Sequence, residues 1–182
     1  ELLLGPAELR AQNPGARGYH YAAHGAFRQV HADTARAIAE RVLEQARSQA
    51  RAARGPLRVL ELGGGAGALA LALAEQGAEV CAVESFEPAC VRLRRAAGEQ
   101  GLPVEVRPGD AAEALRALAA QAARFELVIV NPPRRGLDLD VRRLLARLSP
   151  ERLIYVSCQP ATLARDLAHL ARCGLRATAL EP

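Results

Sequence analysis

Cys158 closes the apolar, strand-like run "RLIYVSC", and Gln159-Pro160 leads straight into the helical pattern "ATLARDLAHLARCG". Proline suits the first position of a helix, where its missing N–H costs nothing. A free thiol is about a few per cent ionised at neutral pH, and a neighbouring helix N-terminus favours the thiolate. Cys158 is therefore a candidate nucleophile. The competing reading is a buried cysteine that merely ends a strand, and it is the one adopted for Cys81, Cys90 and Cys173.

A second group could hold a nucleoside. "ELGGGAGALALALA" sets Gly63, Gly64, Gly65 and Gly67 between a strand-like and a helix-like run, where glycines permit a tight turn and close backbone approach by a ligand. The spacing is not G-x-G-x-x-G, because Ala68 stands at its last position. Some twenty residues on, Glu84 ends the next strand, where a carboxylate can accept both ribose hydroxyls. A third group, Asn131-Pro132-Pro133, follows another strand; two prolines stiffen that turn and hold Asn131 at a set angle. Such a turn suits a methyl donor better than a hydride carrier, and no second glycine-rich mononucleotide half is present. The same "NPP" would serve an enzyme methylating an exocyclic amine. An amine, however, already has a lone pair and needs no thiolate. C5 of uracil is a poor nucleophile until something adds at C6, and that addition does need one.

The elements that must position these groups alternate regularly. "DTARAIAERVLEQARSQARAA" reads as a helix with Asp33 as its N-cap candidate, ending at Gly55-Pro56. Strands follow at "RVLELGGG", "AEVCAVE", "VEVRPGD", "FELVIVNPP" and "RLIYVSC", each succeeded by a helix, and "LRATALEP" is expected to begin another strand. Strands apolar on both faces that alternate with helices predict an α/β fold, a doubly wound and mostly parallel sheet. Ligands in such sheets bind beyond the carboxyl ends of the strands, which is where the glycine turn, Glu84, Asp110, Asn131 and Cys158 collect. Residues 1–30 read as an irregular lead into a catalytic domain over 31–182 that is expected to lack its last strand.

Composition sets wide bounds. The 182 residues suffice for one domain with a real core. All 24 basic residues are arginine, and the formal charge of +4 permits an anionic partner without requiring one. Four cysteines without a C-x-x-C pair argue against a zinc site or a disulfide framework and for a reducing cytoplasm. No apolar run is long enough to cross a membrane, and no membrane partner is expected. Nothing in the sequence fixes an oligomeric state.

"SCQPATLARDL" resembles the "SCNPATLARDL" signature of the RNA uracil-C5 methyltransferases, which modify uracil in transfer and ribosomal RNA. "NPPRRGL" is similar to that family's "DPPRxGL", "GAFRQVH" to its "FxQVN", and "ELGGGAG" to its "DLYCGxG", in the same order along the chain. The resemblance implies a Rossmann-like class I methyltransferase that uses S-adenosylmethionine and an RNA substrate whose target base is flipped out of its stack. It implies that Cys158 adds to C6 of uracil, and that Gln29, Gly63, Ala68, Glu84, Asp110 and Asn131, with Gly65 and Gly67 in the same turn, line the methyl-donor site. Pro132, Pro133 and Arg134 fall on the substrate side, with Arg134 and Arg135 as phosphate contacts. Arg92, Arg94, Arg95, Arg142 and Arg143 are expected on solvated helix faces.

Among the departures from the family pattern, Asn131 replaces Asp, Gln159 and His31 replace Asn, and Gly63 replaces an aromatic residue. The family's general base, a Glu in a later "HxE" segment, has no counterpart here, and Glu181 lies too early to supply it. Two other readings stay open: an amino-methyltransferase acting on guanine or adenine through "NPP", and a non-catalytic RNA- or nucleoside-binding module.

Overall fold

In a computed structural model, residues 9–22, 32–52 and 55–181 are described. A hairpin of β1 (Arg10–Gln12) and β2 (Tyr19–Tyr21) precedes α1 (Ala32–Ala52). Then come β3 (Arg58–Leu62), α2 (Ala68–Glu75), β4 (Glu79–Glu84), α3 (Glu87–Gln100), β5 (Val104–Pro108) and α4 (Ala111–Ala120). β6 (Leu127–Val130), α5 (Leu139–Leu148), β7 (Arg152–Tyr155) and α6 (Pro160–Arg172) complete the order. Five strands form one sheet in the order β5-β4-β3-β6-β7, with every pair parallel. The predicted α/β alternation is present, and the strand order reverses at β3, which places the expected ligand crevice between β3 and β6.

Both faces of the sheet are covered because both sets of alternate strand residues are apolar. Val59, Val80, Ala82, Leu127 and Ile129 face a core shared with α1, α2 and α3. Leu60, Leu62, Val83, Val128 and Val130 face a second core built with α4, α5 and α6. The period of two also turns Glu61 inward, at 3 % exposure, on the same face as Val59.

Several expectations change. Part of the irregular lead is a hairpin: Arg17 and Gly18 donate backbone N–H groups to Glu75 at 2.8 Å each, and the Tyr19 and Tyr21 hydroxyls donate to Glu99 at 2.5 and 2.6 Å. Its three-residue strands are held by side chains far away in the chain, which local periodicity does not reveal. The expected strand in "LRATALEP" does not form: residues 175–181 pair with no strand among the described residues, and Glu181 binds Arg41 instead. Asp33 lies inside the first turn of α1, paired with Arg36, and is not its N-cap. Arg142 is not solvated; it is 9 % exposed and faces Asp166 of α6.

Candidate active site

The first wall of the crevice is the turn from β3 to α2. Gly63, Gly65 and Gly67 have φ of +78°, +57° and +83°, which glycine adopts without the strain a Cβ would bring. A Cβ on Gly67 would overlap the Leu93 side chain, so the start of α2 packs against α3 here with no side chain between. Gly67 caps α2, and Ala68 opens it. Glu84, at the end of β4, accepts from Gly65 N–H with Oε2 at 2.9 Å and from Phe86 N–H with Oε1 at 2.8 Å. Oε1 also accepts from the Ser85 hydroxyl at 3.4 Å, whereas Oε2 keeps a further lone pair for a ligand hydroxyl. Asp110 is exposed and caps α4, its Oδ1 accepting from Ala112 N–H at 2.8 Å and Glu113 N–H at 3.2 Å. Its Oδ2 stays open.

Glu61 belongs with this wall and was missed by the motif-based reading. Its Oε2 has no hydrogen-bond partner among the described residues, and a Cβ on Gly64 would fall 2.6 Å from that atom. Burial, followed by the charge of Glu84, pushes its carboxyl up to about 7, against a hydrogen bond from Ala70 N–H that lowers it. The signal was present in "RVLEL": an acid at an inward position of a buried strand needs a reason.

The second wall follows β6. Asn131 N–H donates to Leu62 O at 3.2 Å, and a Cβ on Gly63 would meet Asn131 O at 3.1 Å, so the glycine turn and the "NPP" turn touch across the switch point. Gly136 N–H closes a turn onto Pro133 O at 2.8 Å, leaving Pro133, Arg134 and Arg135 exposed and Pro132 half-buried.

The third wall is the loop after β7. The strand ends at Tyr155, earlier than expected, so Cys158 stands in the loop three residues on. Val156 N–H donates to Val130 O at 2.8 Å, which holds the start of that loop beside Asn131. Cys158 is a free, exposed thiol one residue before Gln159, the N-cap of α6. Cys81 and Cys90 are buried as expected, whereas Cys173, at the far end of α6, is exposed. Gln29, with the rest of "GAFRQVH", lies outside the described residues.

The structure thus brings the glycine turn, Glu84, Asn131, the two prolines and the Cys158 loop to one end of the sheet. A separate cavity of about 480 Å³, lined by Arg58, Glu79, Glu105 and Arg107 among others, runs along the edge strand β5 and holds none of them.

This sheet order, with a glycine turn after its first strand and a carboxylate after its second, is that of a class I methyltransferase domain; a methyltransferase-domain family model matches residues 60–132. A tRNA (uracil-5-)-methyltransferase model matches residues 106–178, across the "NPP" turn and the cysteine loop. Across these residues the chain is similar to the RNA uracil-C5 methyltransferases. An uncharacterized RNA methyltransferase of Geobacter sulfurreducens is 37% identical over 162 residues, covering 86% of this chain and 31% of the relative. The 23S rRNA (uracil(1939)-C(5))-methyltransferase RlmD of Halomonas elongata is 40% identical over 144 residues, covering 76% of this chain and 29% of the relative. Among solved structures, the Pyrococcus abyssi tRNA (uracil-54, C5)-methyltransferase in complex with S-adenosyl-L-homocysteine superposes with a TM-score of 0.72 at 26% identity, covering 91% of this chain and 38% of that one. The chain spans about a third of the length of these curated relatives.

Proposed function

We propose that this chain is the catalytic domain of an enzyme that methylates C5 of a uridine in ribosomal or transfer RNA, with S-adenosylmethionine as methyl donor and Cys158 as the nucleophile. The observation that carries the reading is an exposed thiol on a loop that abuts the Asn131 turn, which in turn abuts Gly63. The residues present fit the donor. Gly63, Gly65, Gly67 and Ala68 open the backbone to it, Glu84 Oε2 offers a lone pair for a ribose hydroxyl, and the orphaned oxygen of Glu61 suits a cation. Asp110 keeps one carboxylate oxygen free of its capping bonds for the base. When bound, the donor supplies an electrophilic methyl carbon.

The chain's own part is to make C5 nucleophilic. The Cys158 thiolate forms an S–C6 bond, and the C5=C6 π electrons move into an enolate that is nucleophilic at C5. After C5 has gained its methyl group, a base takes the C5 proton. The electrons of that C–H bond re-form C5=C6, and the S–C6 bond breaks to return the thiolate. Pro132 and Pro133 shape the pocket wall on which the flipped base rests, and exposed Arg134 reaches toward phosphate. Asn131, where the family pattern has Asp, donates or accepts through its neutral amide without adding a third carboxylate to Glu61 and Glu84.

The test uses full-length protein, S-adenosylmethionine and uridine-containing RNA. Wild type is expected to yield 5-methyluridine, and Cys158→Ala none. Methyl transfer that persists in Cys158→Ala, with product on an exocyclic nitrogen, would establish the amino-methyltransferase reading in its place. RNA retention by wild type without any methylation would leave a binding module.

A further inference from the structure

Asp166 is fully buried on α6, six residues after the helix begins, so about 9 Å along its axis from the loop that carries Cys158. Its Oδ2 accepts from Leu137 N–H and from the Tyr155 hydroxyl, both at 2.7 Å. Its Oδ1 accepts from Arg165 Nε at 2.9 Å and faces Arg142 Nη1 of α5 at 3.2 Å. One carboxylate therefore joins the end of β7, the segment after the "NPP" turn, α5 and α6. Gly136 has φ +77°, and a Cβ there would lie 2.5 Å from Asp166 Oδ2, so this segment seats on the carboxylate only with glycine at that place.

Two more side chains of α6 take hold of the same segment through its carbonyls. Thr162 Oγ1 lies 3.0 Å from Arg134 O and 3.1 Å from Gln159 O, sharing its one proton between the substrate-side loop and the cap of α6. Arg165 Nη2 donates to Arg135 O at 2.8 Å. Burial works against the Asp166 charge, but the bonds from Tyr155, Leu137 and Arg165 more than offset it and hold the carboxyl below its ordinary value. Tyr155, three residues before Cys158, is correspondingly pushed up by burial and by the Asp166 bond, and remains a donor. Apolar packing would hold α6 to the sheet equally well; a buried ionic cluster with every oxygen directed instead selects one arrangement.

We propose that Asp166 is a positioning residue that locks the segment 134–137 against α6 and so fixes where the Cys158 thiol stands relative to the base resting on Asn131-Pro132-Pro133. The inference rests on the Cys158 reading above. Full-length wild type, Asp166→Asn and Thr162→Val are mixed with S-adenosylmethionine and RNA carrying 5-fluorouracil, and the denaturation-stable adduct is followed under single-turnover conditions. Donor affinity and alkylation of Cys158 by a small neutral reagent are measured alongside. Asp166→Asn is expected to slow adduct formation at least tenfold and Thr162→Val about threefold, with donor affinity and alkylation within twofold of wild type. Thr162→Val removes a tie at the surface and keeps the test alive if Asp166→Asn does not fold. Wild-type adduct rates in the folded variants overturn the positioning role while leaving Cys158 as the nucleophile. Faster alkylation together with weaker donor binding also overturns it, because general loosening would then account for the loss. No adduct in wild type overturns the Cys158 reading and this inference with it.

Discussion

Glu61 shows how a single residue can tie the ligand site to pH. One of its oxygens lacks a partner among the described residues, and its carboxyl is raised from an ordinary 4.5 to about 7 by burial first and Glu84 second. The folded chain then holds a proton that the unfolded chain has already released between these two values. Stability from keeping the carboxyl neutral is fully present below pH 4.5 and is lost as pH rises through 7. At 1.36 kcal/mol per unit, the loss is about 3 kcal/mol. Thermal melts without donor should show the wild-type midpoint falling from pH 5 to 8, and a flatter profile for Glu61→Gln. A cationic donor favours the ionised carboxylate, so affinity for S-adenosylmethionine should rise over the same window in wild type and stay level in Glu61→Gln; titration calorimetry at several pH values reads both. At the same scale, Arg134 is exposed beside the proposed base pocket. Arg134→Ala should weaken RNA binding and reduce the slope of log affinity against log salt by about 0.7–1, the value of one phosphate contact. The motif residues were legible because their types are unusual at strand ends. Asp166 and Arg142 were not, since their partnership spans α5 and α6 and each alone looks like an ordinary polar residue of an amphipathic helix.

Among the elements, the β3–α2 turn has the narrowest tolerance. Gly67 combines a left-handed φ with a side-chain-free contact against Leu93, so Gly67→Ala should cost about 1–3 kcal/mol through strain and overpacking, read as a lower unfolding midpoint. The five parallel strands and their helices were legible in the sequence because apolar runs of four to six residues between Gly, Pro and Asp are distinctive. The hairpin was not. "RAQNPGARGYHY" contains a turn signal, but its three-residue strands depend on Glu75, Glu99 and Gln100 of α2 and α3. "LRATAL" failed in the opposite sense: its residues suit a strand, yet a strand needs a neighbour, and among the described residues none pairs with it.

For the molecule as a whole, two apolar cores on either face of one sheet leave the carboxyl ends of β3, β4, β6 and β7 as the place where loops meet. The proposed donor side (the glycine turn, Glu61 and Glu84) hangs from β3 and β4. The proposed substrate side hangs from β6 and β7, where buried charges of α5 and α6 brace it. The proposed methyl transfer would need these halves together, and they meet where Gly63 packs on Asn131. The placing of these motifs at the carboxyl ends of the strands was legible in their order along the chain; the bracing was not, because ion pairs between distant helices leave no local pattern. The whole account stands on Cys158 bonding to the substrate base. Mass spectrometry of nuclease- and protease-treated full-length protein, after reaction with S-adenosylmethionine and 5-fluorouracil RNA, measures this directly. The predicted result is a methylated fluorouridine fragment attached to the peptide containing Cys158. A fragment attached to another residue, or methylated RNA with every cysteine unmodified, would contradict it.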